Sequence, residues 1–151
     1  MTRILVVEDG HEYIESLERY LGEHFEFGRA GDGYEALEHL RAMPWQVIFL
    51  DMRFDRAERL MGELAPLADR FNGDRERARR FLAEHQGTYV LSALREAGFR
   101  QAVLFSYDFD GEPRRFRNLQ QRYSPLTYLP DSASPDDIRR ALHELSESPS
   151  V

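Results

Sequence analysis

Short, wholly apolar runs alternate along the chain with longer stretches in which apolar side chains return every three or four positions. Ile4-Leu5-Val6-Val7, Val47-Ile48-Phe49-Leu50 and Ala102-Val103-Leu104-Phe105 present apolar side chains to both faces. Such runs predict strands of a parallel sheet covered on each side. Residues 25–29 and 127–129 are shorter strand candidates. Ile14, Leu17 and Leu21 predict a helix over 11–21 that Gly22 stops, and Ala36, Leu37 and Leu40 predict another between the Gly31-Asp32-Gly33 turn and Pro44. A βαβαβ start with connections of a dozen or more residues predicts a doubly wound α/β fold.

Towards the far end a helix is expected over 115–122. After the last strand, Ser134 caps a further helix with Pro135 at its first position, Asp137 closing a capping box, and Ile138, Ala141, Leu142 and Leu145 turned inward. The middle of the chain carries extra material. Leu60, Leu64, Leu67, Ala68 and Phe71 make one helical stripe ended by Asn72-Gly73, and Asp74 opens a second with Ala78, Phe81 and Leu82. Gly87 is expected to interrupt it. A third helix, with Tyr89 or Val90, Leu94 and Ala97 inward, then ends at Gly98. A structureless loop of this length is improbable in a compact domain, so a helical insertion of about 54–86 is expected before the crossover helix.

The polar ends of the strands carry the candidate chemistry. Glu8 and Asp9 follow the first apolar run, Asp51 follows the third strand, and Ser106 follows the fourth. Ligands of open α/β sheets bind at that carboxyl edge. Three carboxylates converging there repel one another unless a cation lies among them, and a hard divalent ion held by oxygen is the simplest expectation.

Composition narrows the partners. A chain of 151 residues suits one domain, expected over 1–147, with a tail at 148–151. The formal charge is −7 and the basic residues are scattered among acidic ones, which argues against a phosphate-backbone footprint and so against nucleic acid. There is no cysteine, and the five histidines lack paired ligand spacing, so thiolate and zinc sites are not expected. With neither a leader layout nor a long apolar span, the expectation is a cytoplasmic protein with no membrane partner. All 20 basic side chains are arginines. Arg75, Arg77, Arg79 and Arg80 cluster in the insertion beside Asp74 and Glu76, which reads first as a salt-bridged solvated helix and second as a docking face for an acidic partner.

Glu8-Asp9, Asp51 after VIFL, Ser106 after AVLF and the ending SPDDIRRAL together resemble the CheY-like receiver domains of two-component response regulators, over essentially the whole chain outside the insertion. The resemblance implies a five-stranded sheet of order 2-1-3-4-5 with the insertion lying between strand 3 and helix 3. It implies Asp51 as phosphoacceptor, Mg²⁺ held by Glu8, Asp9, Asp51 and the Arg53 backbone carbonyl, Ser106 as a hydroxyl donor to the phosphoryl oxygens, and Tyr128 as the switch aromatic. The implied partners are a histidine kinase or phosphotransfer protein and a downstream protein, and the implied activity is signalling rather than enzymatic turnover.

Two departures stand against this. The family's strand-end lysine falls on Leu129 or Asp131, and the chain has no lysine to replace it, leaving a displaced arginine such as Arg53, Arg114 or Arg115. Tyr107 follows Ser106 where the family prefers a small residue, so its ring is expected over the pocket mouth. A stand-alone receiver acting through phosphorelay is the first functional expectation. A pseudo-receiver that binds a partner without phosphorylation is the second. A flavodoxin-like nucleotide-binding enzyme is the third, weakened because Glu8-Asp9-Gly10-His11 would repel a phosphate.

Overall fold

The computed structural model of the protein describes residues 1–147; the expected tail at 148–151 lies outside them. The order is β1 (Thr2–Val7), α1 (Glu12–Leu21), β2 (Phe25–Ala30), α2 (Gly33–Ala42), β3 (Val47–Asp51), α3 (Leu64–Arg70), α4 (Arg75–Glu84), α5 (Gln86–Glu96), β4 (Ala102–Ser106), α6 (Pro113–Tyr123), β5 (Leu126–Leu129) and α7 (Pro135–Glu147). The strands form one parallel sheet in the order β2-β1-β3-β4-β5. That is the expected doubly wound sheet.

The side-chain period of two divides each central strand between two cores. Leu5, Val7, Ile48, Leu50, Val103 and Phe105 face α2, α5 and α6. Ile4, Val6, Val47, Phe49 and Leu104 face α1 and α7. All of these strand side chains are buried. At about 25 cal/mol per Å² of apolar surface, burial on both faces makes the sheet the main store of stability. The Ser134 hydroxyl accepts from the Asp137 amide at 3.1 Å and the Asp137 carboxylate accepts from the Ser134 amide at 3.4 Å, so α7 starts at the expected capping box.

The insertion differs from expectation in three places. Leu60 joins the small α3–α4 core but precedes the helix, which begins at Leu64. The break between α4 and α5 falls at His85, and Gly87 is helical. A Cβ at Gly87 would stand 2.6 Å from the Asp51 carbonyl oxygen and against the Phe105 ring, so its lack of a side chain lets α5 press against the end of β3. The Gly87 amide donates to the Met52 carbonyl at 2.8 Å across that contact. Ala97 is exposed at the end of α5, and Arg95 is buried beside Leu94 in that turn.

The segment joining β3 to α3 is strapped across the carboxyl edge. The Phe54 amide donates to Ala83, and the buried Gln86 side chain accepts from the Met61 amide at 2.6 Å and donates to the Met61 and Leu82 carbonyls at 3.1 Å. The Arg59 guanidinium grips Asp32 through two bonds of 3.0 and 3.2 Å and lies over the Tyr34 ring. A polar loop therefore reaches back over the ends of β1 and β2.

Candidate functional site at the carboxyl edge

Parallel pairing brings the ends of β3 and β4 level, with Asp51 abreast of Ser106 and Ser106 abreast of Leu129. A cleft of about 390 Å³ opens above them, lined by Asp9, Asp51, Arg53, Arg56, Ser106 and Asp131 among others. Another cleft, of about 540 Å³, lies at the opposite end of the sheet between Trp45, Phe99 and Pro125. Its lining has no carboxylate, so the chemistry belongs to the smaller cleft.

Asp51 is half-buried, and its Oδ1 accepts from the Met52 amide at 2.8 Å. Burial pushes its carboxyl up from 3.8 to about 7, with the charges of Asp9, Glu8 and Asp131 acting in the same direction. Asp131 thus adds a carboxylate beside the strand end where the resemblance places a lysine. Leu129, the other position open for that lysine, is the β5 residue level with Ser106, and it packs against the α1–α7 core.

Glu8, expected as a metal ligand, is turned to the start of α1. Its Oε1 accepts from the Tyr13 amide at 3.1 Å and its Oε2 from the Ile14 amide at 2.7 Å, so the carboxylate satisfies the first turn of α1. Burial raises the Glu8 carboxyl despite those two bonds, which pull it down. The N-cap residue, His11, makes no side-chain cap of its own, and Glu8 does that work.

Asp9 is held by Arg56. The Arg56 amide donates to Asp9 Oδ2 at 2.6 Å, and Arg56 Nη2 stands 3.7 Å from Asp9 Oδ1. The same guanidinium binds Glu12 through both Nη atoms at 2.9 Å, which holds the Glu12 carboxyl at about 2. Magnesium wants near-octahedral oxygen donors that can give up their other partners. With Glu8 capping α1 and both Asp9 oxygens engaged by Arg56, the donors as placed do not fit that ion. Among the described residues, no group of three His, Asp or Glu side chains is arranged to hold a metal.

Of the remaining expected residues, Arg53, Ser106 and Tyr107 line the cleft, whereas Arg115 and Tyr128 pack on the aromatic rings beside it. The Arg53 side chain lies 3.7 Å from Asp55 and 3.9 Å from Glu84. Arg115 stacks on Tyr107 and binds Glu112 at 3.2 Å. The Ser106 hydroxyl shares a 2.7 Å hydrogen bond with the Tyr13 hydroxyl. Tyr107 lines the cleft as expected, with its hydroxyl donating to Glu112 at 2.6 Å. Tyr128 is abreast of Phe105, one step back from the site; its ring packs edge-on against Phe109 and Phe116 and its hydroxyl donates to Asp110 at 2.5 Å. Arg56, Asp55 and Tyr13 are the polar cleft residues that sequence reasoning missed, and Asp131 entered it only as a position open for the lysine. Asp9-Gly10 followed by Glu12 was the available signal for the first, because a glycine between two acids leaves room for a large cation.

No protein-family model matches the sequence, and no curated protein matches it either. Solved structures do match, and they are mostly response regulator receiver domains. The receiver domain of the Francisella response regulator 1452 is 18% identical with a TM-score of 0.68, over 97% of this chain and 98% of that one. The receiver domain of NtrX from Brucella abortus is 16% identical with a TM-score of 0.68, over 97% and 99%. The Vibrio cholerae chemotaxis protein CheY4 is 17% identical with a TM-score of 0.65, over 96% and 98%. At such identities what is shared is architecture, and the described residues have the CheY-like receiver fold.

Proposed function

We propose that the chain is a receiver-fold signalling module that acts by binding a protein partner, without magnesium-dependent phosphorylation. One observation carries this reading: Asp131 stands by the β5 end of the cleft in place of a lysine, and the arginines that line the cleft, Arg53 and Arg56, are both paired with acids. A phosphoryl group brings roughly −1.5 to −2 charges, and aspartyl phosphate forms only where cations neutralise them together with the nucleophile. Here burial, Asp9, Glu8 and Asp131 all oppose negative charge on Asp51. Arg56 is already taken up by Asp9 and Glu12, and the Ser106 hydroxyl is engaged by Tyr13. On this reading the role is one of binding rather than turnover. The surface next to the cleft that suits a partner is the start of α6, where Tyr107, Glu112 and Arg115 tie the site to an aromatic cluster.

A second reading keeps the phosphorelay. It is favoured by the register that sets Asp51 level with Ser106 on the next strand, and its partners would be a histidine kinase or phosphotransfer protein and a downstream target. Incubation with Mg²⁺ and acetyl phosphate, followed by intact-mass measurement, separates the two. The expected result is no adduct on the wild-type protein. A Mg²⁺-dependent phosphoryl adduct that disappears in Asp51→Asn would install the second reading.

A further inference from the structure

Arg56 has an unusual seat for a loop arginine. Its side chain is 60% exposed, yet it closes over Asp9, whose side chain is only 6% exposed. The main chain contributes as well, since the Arg56 amide takes the second oxygen of the same carboxylate. Glu12 then fixes the guanidinium through both Nη atoms. Gly10 completes the seat: a Cβ there would collide with Arg56 Nη2 and Glu12 Oε2. Three residues at the start of the first connection, Asp9, Gly10 and Glu12, together accommodate one planar cation.

We propose that Arg56 is a tethered counter-cation of the acidic cleft, and that a divalent ion gains Asp9 only by displacing it. The tether makes the competition effective. On one side the segment is held through the Phe54 amide to Ala83, and on the other through Arg59 to Asp32 and Met61 to Gln86. A cation presented this way acts at the high local concentration of an intramolecular partner and meets no dehydration cost like that of a hexahydrated ion. The guanidinium also repels an incoming ion, because like charges about 4 Å apart near a protein surface oppose each other by several times thermal energy. The loop from Arg53 to Met61 is thereby coupled to the cleft: any ion seated on Asp9 must free Arg56 and loosen the strap. This inference rests on the cleft's contacts and holds whether or not Asp51 accepts a phosphoryl group.

The test uses Mn²⁺ as probe, followed by the paramagnetic signal of the free ion, with Mg²⁺ as competitor. Arg56→Gln is expected to bind Mn²⁺ roughly tenfold or more tightly than the wild type, and adding Asp9→Asn to that variant should abolish the gain. Gly10→Ala keeps the arginine but removes its seat, so it should show a smaller gain in the same direction. It also serves if Arg56→Gln is unstable, with far-ultraviolet circular dichroism reporting the fold of each. Equal Mn²⁺ affinity in the wild type and Arg56→Gln, or a gain that survives Asp9→Asn, overturns the proposal. Phosphorylation is not read in this experiment, so its failure is distinct from a failure of the protein-binding reading.

Discussion

Each end of the sheet holds a charge that the fold has taken out of water, and the two are treated in opposite ways. At the amino end Arg95, 6% exposed, donates to the carbonyls of Tyr123, Phe99, Gln101 and Pro125 at 2.8–2.9 Å. Burial lowers its pKa to about 10, so it stays charged at neutral pH, solvated by backbone dipoles. At the carboxyl end Asp51 accepts one amide and faces three acids. A fold that can satisfy a buried guanidinium so fully leaves its carboxyl edge electrostatically strained. Local conflict of that kind, in an otherwise consistent structure, is the pattern expected of an edge with the binding role proposed above.

The hardest test of the contrast is at the satisfied end. Arg95→Leu keeps an apolar stem in the core but removes every donor that joins the end of α5 to the turns before β4 and β5. We expect a loss of roughly 2–4 kcal/mol in urea unfolding, because bonds to a charged donor are among the stronger ones and the abandoned carbonyls are poorly placed for water. A loss below about 1 kcal/mol would mean that the backbone re-solvates easily, and the two ends would no longer differ in kind.

At the strained end the sign reverses. The Asp51 carboxyl is raised from 3.8 to about 7, so between those values the folded chain holds a proton that the unfolded chain releases. Its contribution is fully present below pH 4 and is lost as pH rises through 7. Asp51→Asn removes that penalty. The variant should match the wild type near pH 4 and exceed it by roughly 1–3 kcal/mol at pH 8. Parallel stability curves between pH 5 and pH 8 would show that Asp51 is not strained by its neighbours.

The same contrast explains what could be read from the sequence. Central strands announce themselves, since β1, β3 and β4 are apolar on both faces and nothing else in the chain is. Asp51 and Ser106 were legible because they end such runs. Gly87 misled because a glycine inside a helical pattern signals a break, whereas here it is chosen for the closeness of α5 to β3. Arg56 was hidden among 20 arginines, in a loop with no periodicity to place it. The helix contact of Glu8 was not legible, because a carboxylate at a strand end can serve a helix amide as well as a metal, and only the direction of the following helix shows that it accepts from Tyr13 and Ile14. Arg95 gave no sign at all, since an arginine near the end of a helix is ordinarily on the surface.

The smallest effect concerns the strap that brings Arg56 to its seat. Arg59 is 55% exposed while its partner Asp32 is 13% exposed, and Asp32 also accepts from the Glu35 amide at 2.8 Å as the cap of α2. Removing the exposed partner leaves that cap in place, and exposed ion pairs are typically worth about 0–1 kcal/mol. Arg59→Ala should therefore cost less than about 1 kcal/mol, and the deficit should shrink further at high salt. Asp32→Ala should cost more, by about the 1 kcal/mol of a lost helix cap. If Arg59→Ala were instead the costlier of the two, the strap would be holding the carboxyl edge together, and the strain at Asp51 would be maintained by the loop rather than by the acids around it.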